Sequence, residues 1–184
     1  MENNLLLEKQ LIERCRNGES AAFSQLVKIY RRQLFTYLWK LCGDKSEAED
    51  LFQETLIKAW KGIGRYRHED KFSSWLFSIA HNAAMDSHRK NKVRMNVFVT
   101  DELRAADYNN PHTQLVANEL RGILDEAINS LPEKQKQVFL LREHGDMTFK
   151  EIAETTNEPL NTVLGHMHYA VSKLKKALRI KNVI

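Results

Sequence analysis

Turn-forming residues are scarce in this sequence of 184 residues, which contains three prolines and seven glycines. Because turn-rich β folds depend on both residue types, their scarcity favours an all-α protein built from long helices. No apolar run approaches the roughly 20 residues that a helix needs to cross a membrane, and the N-terminus lacks a signal-peptide pattern. Cys15 and Cys42 lie far apart without metal-like spacing. We therefore expect a cytoplasmic protein with two free thiols.

Sequence motifs of enzymes are also missing, because neither a phosphate-cradling loop nor a nucleophile motif is found. The one group of candidate metal ligands is His166 and His168 with His144 and Asp146. Paired ligands on a helix usually stand at i and i+4, whereas side chains two residues apart point away from each other. A metal-dependent enzyme is thus the weakest alternative, and we expect no catalysis, no bound metal, no cofactor and no small-molecule substrate.

Positive charge is unevenly distributed along the chain, although the net charge is only +4. Counted from the sequence, the net charge is 0 over residues 1–60, +5 over 61–94, −5 over 95–133 and +4 over 134–184. Basic segments on folded helices are typical of proteins that bind a polyanion, most often nucleic acid. Chance variation of surface charge is the alternative explanation.

Apolar residues at helical spacing predict four helices in the first half of the chain. These helices cover residues 5–17, residues 21–42, the segment between Asp44 and Gly62, and residues 71–92. Asp44 followed by Glu47 is a capping-box-like start, and Ser73 or Ser74 can cap the fourth helix. That fourth helix has an apolar face and a basic C-terminal end, which is also the pattern of an ordinary amphipathic helix. We predict a compact helical unit at residues 1–92.

The helical pattern is lost over residues 93–113, which we predict to be an irregular linker. A second helical unit follows at residues 114–184. Its first helix covers Leu115–Asn129, and a capping box of Ser130 with Glu133, together with the early Pro132, indicates the start of the next.

The end of the second unit has the pattern of a helix-turn-helix, in which the second helix enters the DNA major groove. Thr148 and Glu151 form a capping box for helix 149–155, a polar turn follows at residues 156–159, and Asn161 or Thr162 caps a last helix. Asn pairs with adenine, Leu contacts the thymine methyl group, and the helix starts hold phosphates. A plain helical hairpin is the alternative. We predict DNA contacts at Thr148, Lys150, Asn161, Thr162, Leu164, Gly165, His166, His168 and Tyr169.

Three stretches, in this order, resemble segments of bacterial sigma factors of the extracytoplasmic-function (ECF) type. Residues 47–63 resemble the helix that binds the clamp helices of core RNA polymerase. Residues 72–90 resemble the helix that melts the promoter. Residues 131–163 resemble the C-terminal domain that reads the upstream promoter element. The resemblance covers nearly the whole chain and implies a non-catalytic initiation factor, with polymerase binding and melting at 1–92 and upstream recognition at 114–184.

The resemblance also implies roles for individual residues. Asp50, Gln53 and Glu54 would face core RNA polymerase. The loop at residues 66–71, with Phe72, would hold a flipped-out base of the downstream promoter element, and Asn82 would help to read that strand. Trp75 lies on the apolar stripe and is expected in the core. The residues predicted to contact the downstream element are Arg65, Tyr66, Arg67, Lys71, Phe72, Asn82, Arg89 and Lys90.

The last helix departs from the family pattern. ECF sigma factors often continue Thr-Val with Lys-Ser-Arg, whereas Thr162 and Val163 are followed here by Leu164, Gly165 and His166. Either this chain reads a different, A/T-richer upstream element, or its binding there depends on the polymerase and on the C-terminal lysines.

A free-standing helix-turn-helix regulator is the main alternative, because it explains residues 114–184. It does not explain the loop and basic helix at residues 65–92, and it predicts tight duplex binding without polymerase. The sigma-factor interpretation implies three partners: core RNA polymerase, promoter DNA and an anti-sigma factor, which is usually a membrane protein with a cytoplasmic domain.

Overall fold

The structure is a computed structural model that describes residues 2–67, 71–95 and 115–180. Within these ranges the chain forms a short 3-10 helix, Ile63–Arg65, and otherwise α-helices, which confirms the all-α prediction. The helices are α1 Glu2–Arg16, α2 Ser20–Cys42, α3 Lys45–Gly62, α4 Phe72–Met95, α5 Leu115–Asn129, α6 Glu133–Gly145, α7 Phe149–Thr156 and α8 Leu160–Ile180. Helix α4 continues to Met95, and the rest of the predicted linker lies outside the described residues.

Two helix starts follow the predicted capping chemistry. The Asp44 carboxylate accepts a hydrogen bond of 2.8 Å from the Glu47 amide at the start of α3. At the start of α7, Thr148 Oγ1 accepts from the Glu151 amide, and the Glu151 carboxylate accepts from the Thr148 amide at 2.8 Å. Both pairs are three residues apart, so each cap forms within one turn of the chain.

Three other predicted caps are wrong, because the side chains involved have different partners or positions. Helix α4 begins at Phe72, ahead of both Ser73 and Ser74, and Ser73 donates to the carbonyl oxygen of Gly145 at 2.8 Å. Ser130 donates to the Ala127 carbonyl at 2.8 Å, and Pro132 stands at the N-cap of α6 without a side-chain cap. Helix α8 begins at Leu160, one residue ahead of Asn161, so neither Asn161 nor Thr162 caps it.

Helices α1 to α4 share an apolar core in which α2 is central, because it packs against α1, α3 and α4. Its buried face carries Leu26, Leu34, Tyr37 and Leu38, which recur at the predicted helical spacing. Helix α6 also packs along α2, and α7 packs against α4. The two halves of the chain therefore contact each other.

Phe77 on α4 marks the centre of this contact between the halves. Its ring is fully buried and meets the Tyr37 ring edge-on, with the centroids 5.3 Å apart. A Cβ atom at Gly145 would lie 3.1 Å from the Phe77 ring, so the missing side chain lets α6 approach α4 closely. Around Phe77, Ser78 and Thr155 share a hydrogen bond of 2.7 Å, and Lys71 pairs with Glu151 at 2.9 Å.

Candidate nucleic-acid interface

A solvent-open cavity of about 640 Å³ lies between α3 and α4 and beside the 3-10 helix. Positions 58 and 62 of α3 face positions 75, 79 and 82 of α4, so the cavity follows about one turn of α3 and two turns of α4. The residues that line it are Lys58, Gly62, Arg65, Tyr66, Arg67, Trp75, Ile79 and Asn82. A volume of this size is ordinary for a small-molecule site and accommodates a nucleobase.

One wall of the cavity is aromatic. The ring centroids of Tyr66 and Trp75 are 4.9 Å apart, and those of Phe72 and Trp75 are 5.5 Å apart. A Cβ atom at Gly62 would lie 3.1 Å from Trp75, so glycine there permits the indole to pack against α3. Trp75 is half-buried and lines the cavity, so it belongs to the core and to the cavity wall at once.

Phe72 does not occupy the position that the sequence predicted. Its side chain is only 1% exposed and packs against Tyr30 and Tyr66, with ring centroids 5.5 and 5.7 Å away. A direct DNA contact by Phe72 is therefore not available in this structure, and the ring instead supports the two aromatic residues of the wall. Tyr66 is 3% exposed, so it presents only part of its edge to the cavity.

Three cationic side chains, Lys58, Arg65 and Arg67, line the cavity. Arg65 and Arg67 are exposed and line the cavity. Arg67 donates from Nη1 to the Gly64 and Tyr66 carbonyl oxygens at 3.0 and 3.1 Å, which folds the side chain back over its own loop. Lys58 pairs with Glu54 one turn earlier on α3 at 2.6 Å.

The remaining residues predicted to contact the downstream element extend along α4. Asn82 is exposed and lines the cavity, where its amide offers both a donor and an acceptor. Arg89 and Lys90 are exposed two turns further on, and Arg89 hydrogen-bonds Asp86, which lowers the Asp86 pKa. Lys71 is an exception, because its ammonium group pairs with Glu151 of α7. Residues 68–70 of the predicted loop lie outside the described residues.

The predicted polymerase-binding residues form an exposed acidic and polar strip on α3. Asp50, Gln53 and Glu54 are all exposed and recur at positions that share a helix face. Asp50 and Glu54 also line a second cavity of about 390 Å³ between α3 and α4, which has Lys90 at its edge. This cavity is separate from the aromatic one, so α3 presents two different surfaces.

The helix-turn-helix is present in the second half of the chain. Asn157 ends α7 in the left-handed conformation with φ 54°, and the Glu158 amide donates to the Ala153 carbonyl at 3.0 Å, which makes the turn tight. Buried Ile152 and Val163 pack the two helices together. The first three residues of α8, Leu160, Asn161 and Thr162, are exposed.

The N-terminal part of α8 presents an exposed surface that carries apolar and polar side chains but few cations. Its exposed members are Asn161, Thr162, Leu164, His168 and Tyr169. Gly165 and His166 are half-buried, and His166 Nε2 lies 3.4 Å from Glu158. Lys150 is exposed on α7, whereas the Thr148 hydroxyl is engaged with Glu151. Within residues 2–67, 71–95 and 115–180, no three His, Cys, Asp or Glu side chains converge as metal ligands.

Glu151 links the two halves electrostatically. Burial opposes its charge, but hydrogen bonds from the Thr148 backbone, Lys71, the Thr148 side chain and Ser74 outweigh that effect and lower the Glu151 pKa to about 2. Glu151 therefore carries its negative charge at neutral pH.

Among the helices described, none is long and apolar enough to cross a membrane.

Sequence reasoning missed Lys58, Gly62 and Ile79, which complete the cavity. A signal for them exists, because Lys58 and Gly62 are four residues apart on α3, and Ile79 stands between Trp75 and Asn82 at spacings of four and three. Pairing the two helices would have placed all five residues around one crevice.

Comparison with known proteins identifies both halves. The family pattern of sigma-70 region 2 matches residues 26–94, and that of sigma-70 region 4 matches residues 121–174. The ECF RNA polymerase sigma factor SigW of Bacillus subtilis is 31% identical over 183 residues, covering 95% of this chain and 98% of that protein. The RNA polymerase sigma-H factor of Pseudomonas aeruginosa is 27% identical over 181 residues, covering 94% of each chain.

A solved structure shares the fold. The sigma factor RpoE of Bartonella quintana, in complex with the anti-sigma factor NepR, superposes with a TM-score of 0.72 at 21% identity, covering 86% of this chain and 97% of that chain.

Proposed function

The chain belongs to the ECF RNA polymerase sigma factors, initiation factors that direct RNA polymerase to promoters, and we propose that its α3–α4 cavity captures a base of the downstream promoter element. The observation that carries this proposal is the cavity itself: an aromatic wall, two arginines at the mouth and an exposed Asn82 amide converge on one space. Stacking on an aromatic ring stabilises an unpaired base, and the cations follow the strand backbone.

Helix α3 binds core RNA polymerase in this proposal. Its exposed Asp50, Gln53 and Glu54 form one surface, and the wall of the base-binding cavity forms another. A single rigid helix thereby fixes the distance between core enzyme and the captured base. Residues 1–92 then act as the polymerase-binding and melting unit, and residues 93–113 act as the linker to the upstream-reading unit.

Residues 114–184 read the upstream element through the exposed start of α8. Asn161 offers an amide to an adenine edge, and Leu164, 42% exposed, offers an apolar contact to a thymine methyl group. With no lysine or arginine between Thr162 and Ser172, this surface favours A/T-rich sequence and depends on the polymerase for affinity.

The protein acts in the cytoplasm as a non-catalytic factor, and an anti-sigma factor is its regulatory partner. Support for that partner comes from the shared fold with RpoE, which was solved bound to the anti-sigma factor NepR. The free-standing regulator is less suitable, because it leaves residues 26–94, which match sigma-70 region 2, without a role.

Replacing Asn82 with alanine tests the cavity directly. Holoenzyme containing Asn82→Ala is expected to open a promoter about tenfold more slowly, because one base-specific hydrogen bond is lost. Opening is measured by the fluorescence of 2-aminopurine placed in the downstream element, and affinity for core polymerase is measured separately.

Gln33→Ala is the matched control, because it removes an exposed amide from α2 outside the cavity. We expect Asn82→Ala to retain polymerase affinity and Gln33→Ala to retain both properties. Equal opening rates for the two variants would refute a role of the cavity in strand capture.

A further inference from the structure

Arg16, the last residue of α1, reaches the wall of the cavity although it lies outside the segment that matches sigma-70 region 2. Its Nη2 atom donates a hydrogen bond to the carbonyl oxygen of Tyr66, fifty residues further along the chain. We propose that Arg16 is a positioning residue for base capture, which holds the cavity wall in its binding shape. This inference rests on the proposed function of the cavity.

The hydrogen bond from Arg16 to the Tyr66 carbonyl fixes the backbone between two residues that line the cavity, Tyr66 and Arg67. The Tyr66 amide donates to the Ile63 carbonyl at 3.1 Å, which ends the 3-10 helix, and the backbone then becomes extended. Because a peptide unit is planar, fixing the Tyr66 carbonyl also fixes the amide of Arg67. Arg67 lines the cavity and itself donates to the same carbonyl at 3.1 Å.

Arg16 is held firmly enough to serve as this anchor. Helix α1 is fixed to the core by buried Leu11, Ile12 and Cys15, which precede Arg16 on the same helix. The guanidinium group is held from its other side by Glu13, whose carboxylate accepts from Nη1 at 2.9 Å. The Arg16 side chain is 18% exposed, so it lies largely beneath the loop that it contacts.

The chemistry of Arg16 exceeds what packing alone requires. Its Nε atom is buried and has no hydrogen-bond partner, which is unfavourable for a cationic side chain. A methionine would fill a similar space without that cost. The hydrogen bond to the Tyr66 carbonyl requires the guanidinium group, which a methionine would lack. The positive charge of Arg16 behind the cavity wall also adds to that of Arg65 and Arg67.

The test measures base capture as the ratio of two affinities, one for an oligonucleotide with a given base intact and one for the same oligonucleotide with that base removed. Holoenzyme binds single-stranded oligonucleotides of the downstream element, taken from a promoter that depends on this protein, with each position in turn intact or abasic. For the unchanged protein, one position is expected to lose about tenfold or more in affinity when the base is removed. For Arg16→Met, which keeps the apolar stem but removes the donors, the ratio at that position is expected to fall to about twofold or less.

Two further variants separate positioning from general stability. Arg16→Lys retains a donor that reaches the carbonyl, so it is expected to restore a substantial part of the ratio. Arg14→Ala removes a neighbouring exposed arginine of α1, paired with Glu19 at 2.8 Å, and is expected to leave the ratio unchanged.

Each outcome bears on a different claim. If no position of the unchanged protein is sensitive to base removal, the proposed cavity function is wrong. If one position is sensitive and Arg16→Met shows the same ratio, Arg16 has only a structural role and the inference is overturned, even when overall affinity falls. If Arg16→Met does not fold, Arg16→Gln takes its place. A ratio of intact to abasic affinity that falls in folded Arg16→Gln but not in Arg14→Ala supports the inference. An unchanged ratio in Arg16→Gln overturns it.

Discussion

Replacing Phe77 with alanine is expected to lower the free energy of unfolding by about 3–5 kcal/mol. The Phe77 ring is fully buried, meets Tyr37 edge-on and fills the space that Gly145 leaves open. Removing the ring leaves a cavity where α4, α2 and α6 meet, and neighbouring backbone is too tightly packed to refill it. Urea denaturation of the full chain, followed by circular dichroism, measures the loss.

Ile57→Ala is the control for that measurement, because Ile57 is a large apolar residue of α3 that is 55% exposed. Its replacement is expected to change the free energy of unfolding by no more than about 0.5 kcal/mol. Similar losses for Phe77→Ala and Ile57→Ala would contradict the burial of Phe77 between the two halves of the chain.

Acidification is expected to remove about 3 kcal/mol of stability through His81 alone. His81 is buried beside Tyr37, whose hydroxyl lies 3.0 Å from Nδ1. Burial, with a further contribution from the charge of Lys134, lowers the His81 pKa from 6.5 to about 4, against the opposing effect of Glu158. Between those pH values the unfolded chain binds a proton that the folded chain does not, so stability falls as the pH falls through this window.

Other groups also contribute to the dependence of stability on pH. Burial also lowers the His144 pKa, so His144 adds to the loss below pH 6.5. Glu151, with a pKa lowered from 4.5 to about 2, contributes stability that is lost only at lower pH, between those values. The contribution of His81 is therefore isolated by mutation rather than by pH alone.

The measurement compares urea unfolding above and within the His81 window for the unchanged protein and His81→Gln. Glutamine offers a polar partner to Tyr37 but does not titrate, so the variant is expected to lose less stability on acidification. His168→Gln, at an exposed position, is the control. Equal losses in the unchanged protein and in His81→Gln would show that His81 does not titrate differently on folding.

Local sequence patterns predicted most of the fold. Apolar spacing placed α2 and α5 because a helix that buries one face repeats every three to four residues. The caps at Asp44 and Thr148 were predictable because both partners lie within one turn. Ser73 was mispredicted, since its hydroxyl bonds the Gly145 carbonyl, and no local rule anticipates a partner so distant in sequence.

The site was predictable only in part. Resemblance to a family identified Arg65, Arg67 and Asn82, all of which line the cavity. Phe72, a predicted DNA contact, is buried, because its position on the apolar stripe of α4 turns the ring into the core. The contact of Arg16 with the cavity wall could not be predicted from the sequence, because its partner is a backbone carbonyl on a different element.

Promoter-specific transcription is the central claim, and run-off transcription with bacterial core RNA polymerase tests it most directly. Genomic fragments are transcribed with core enzyme alone, with the protein added, and with the Asn82→Ala variant added. The account predicts new start sites that require the protein and weaken with Asn82→Ala. Absence of new starts, together with failure of the protein to co-elute with core enzyme, would contradict it.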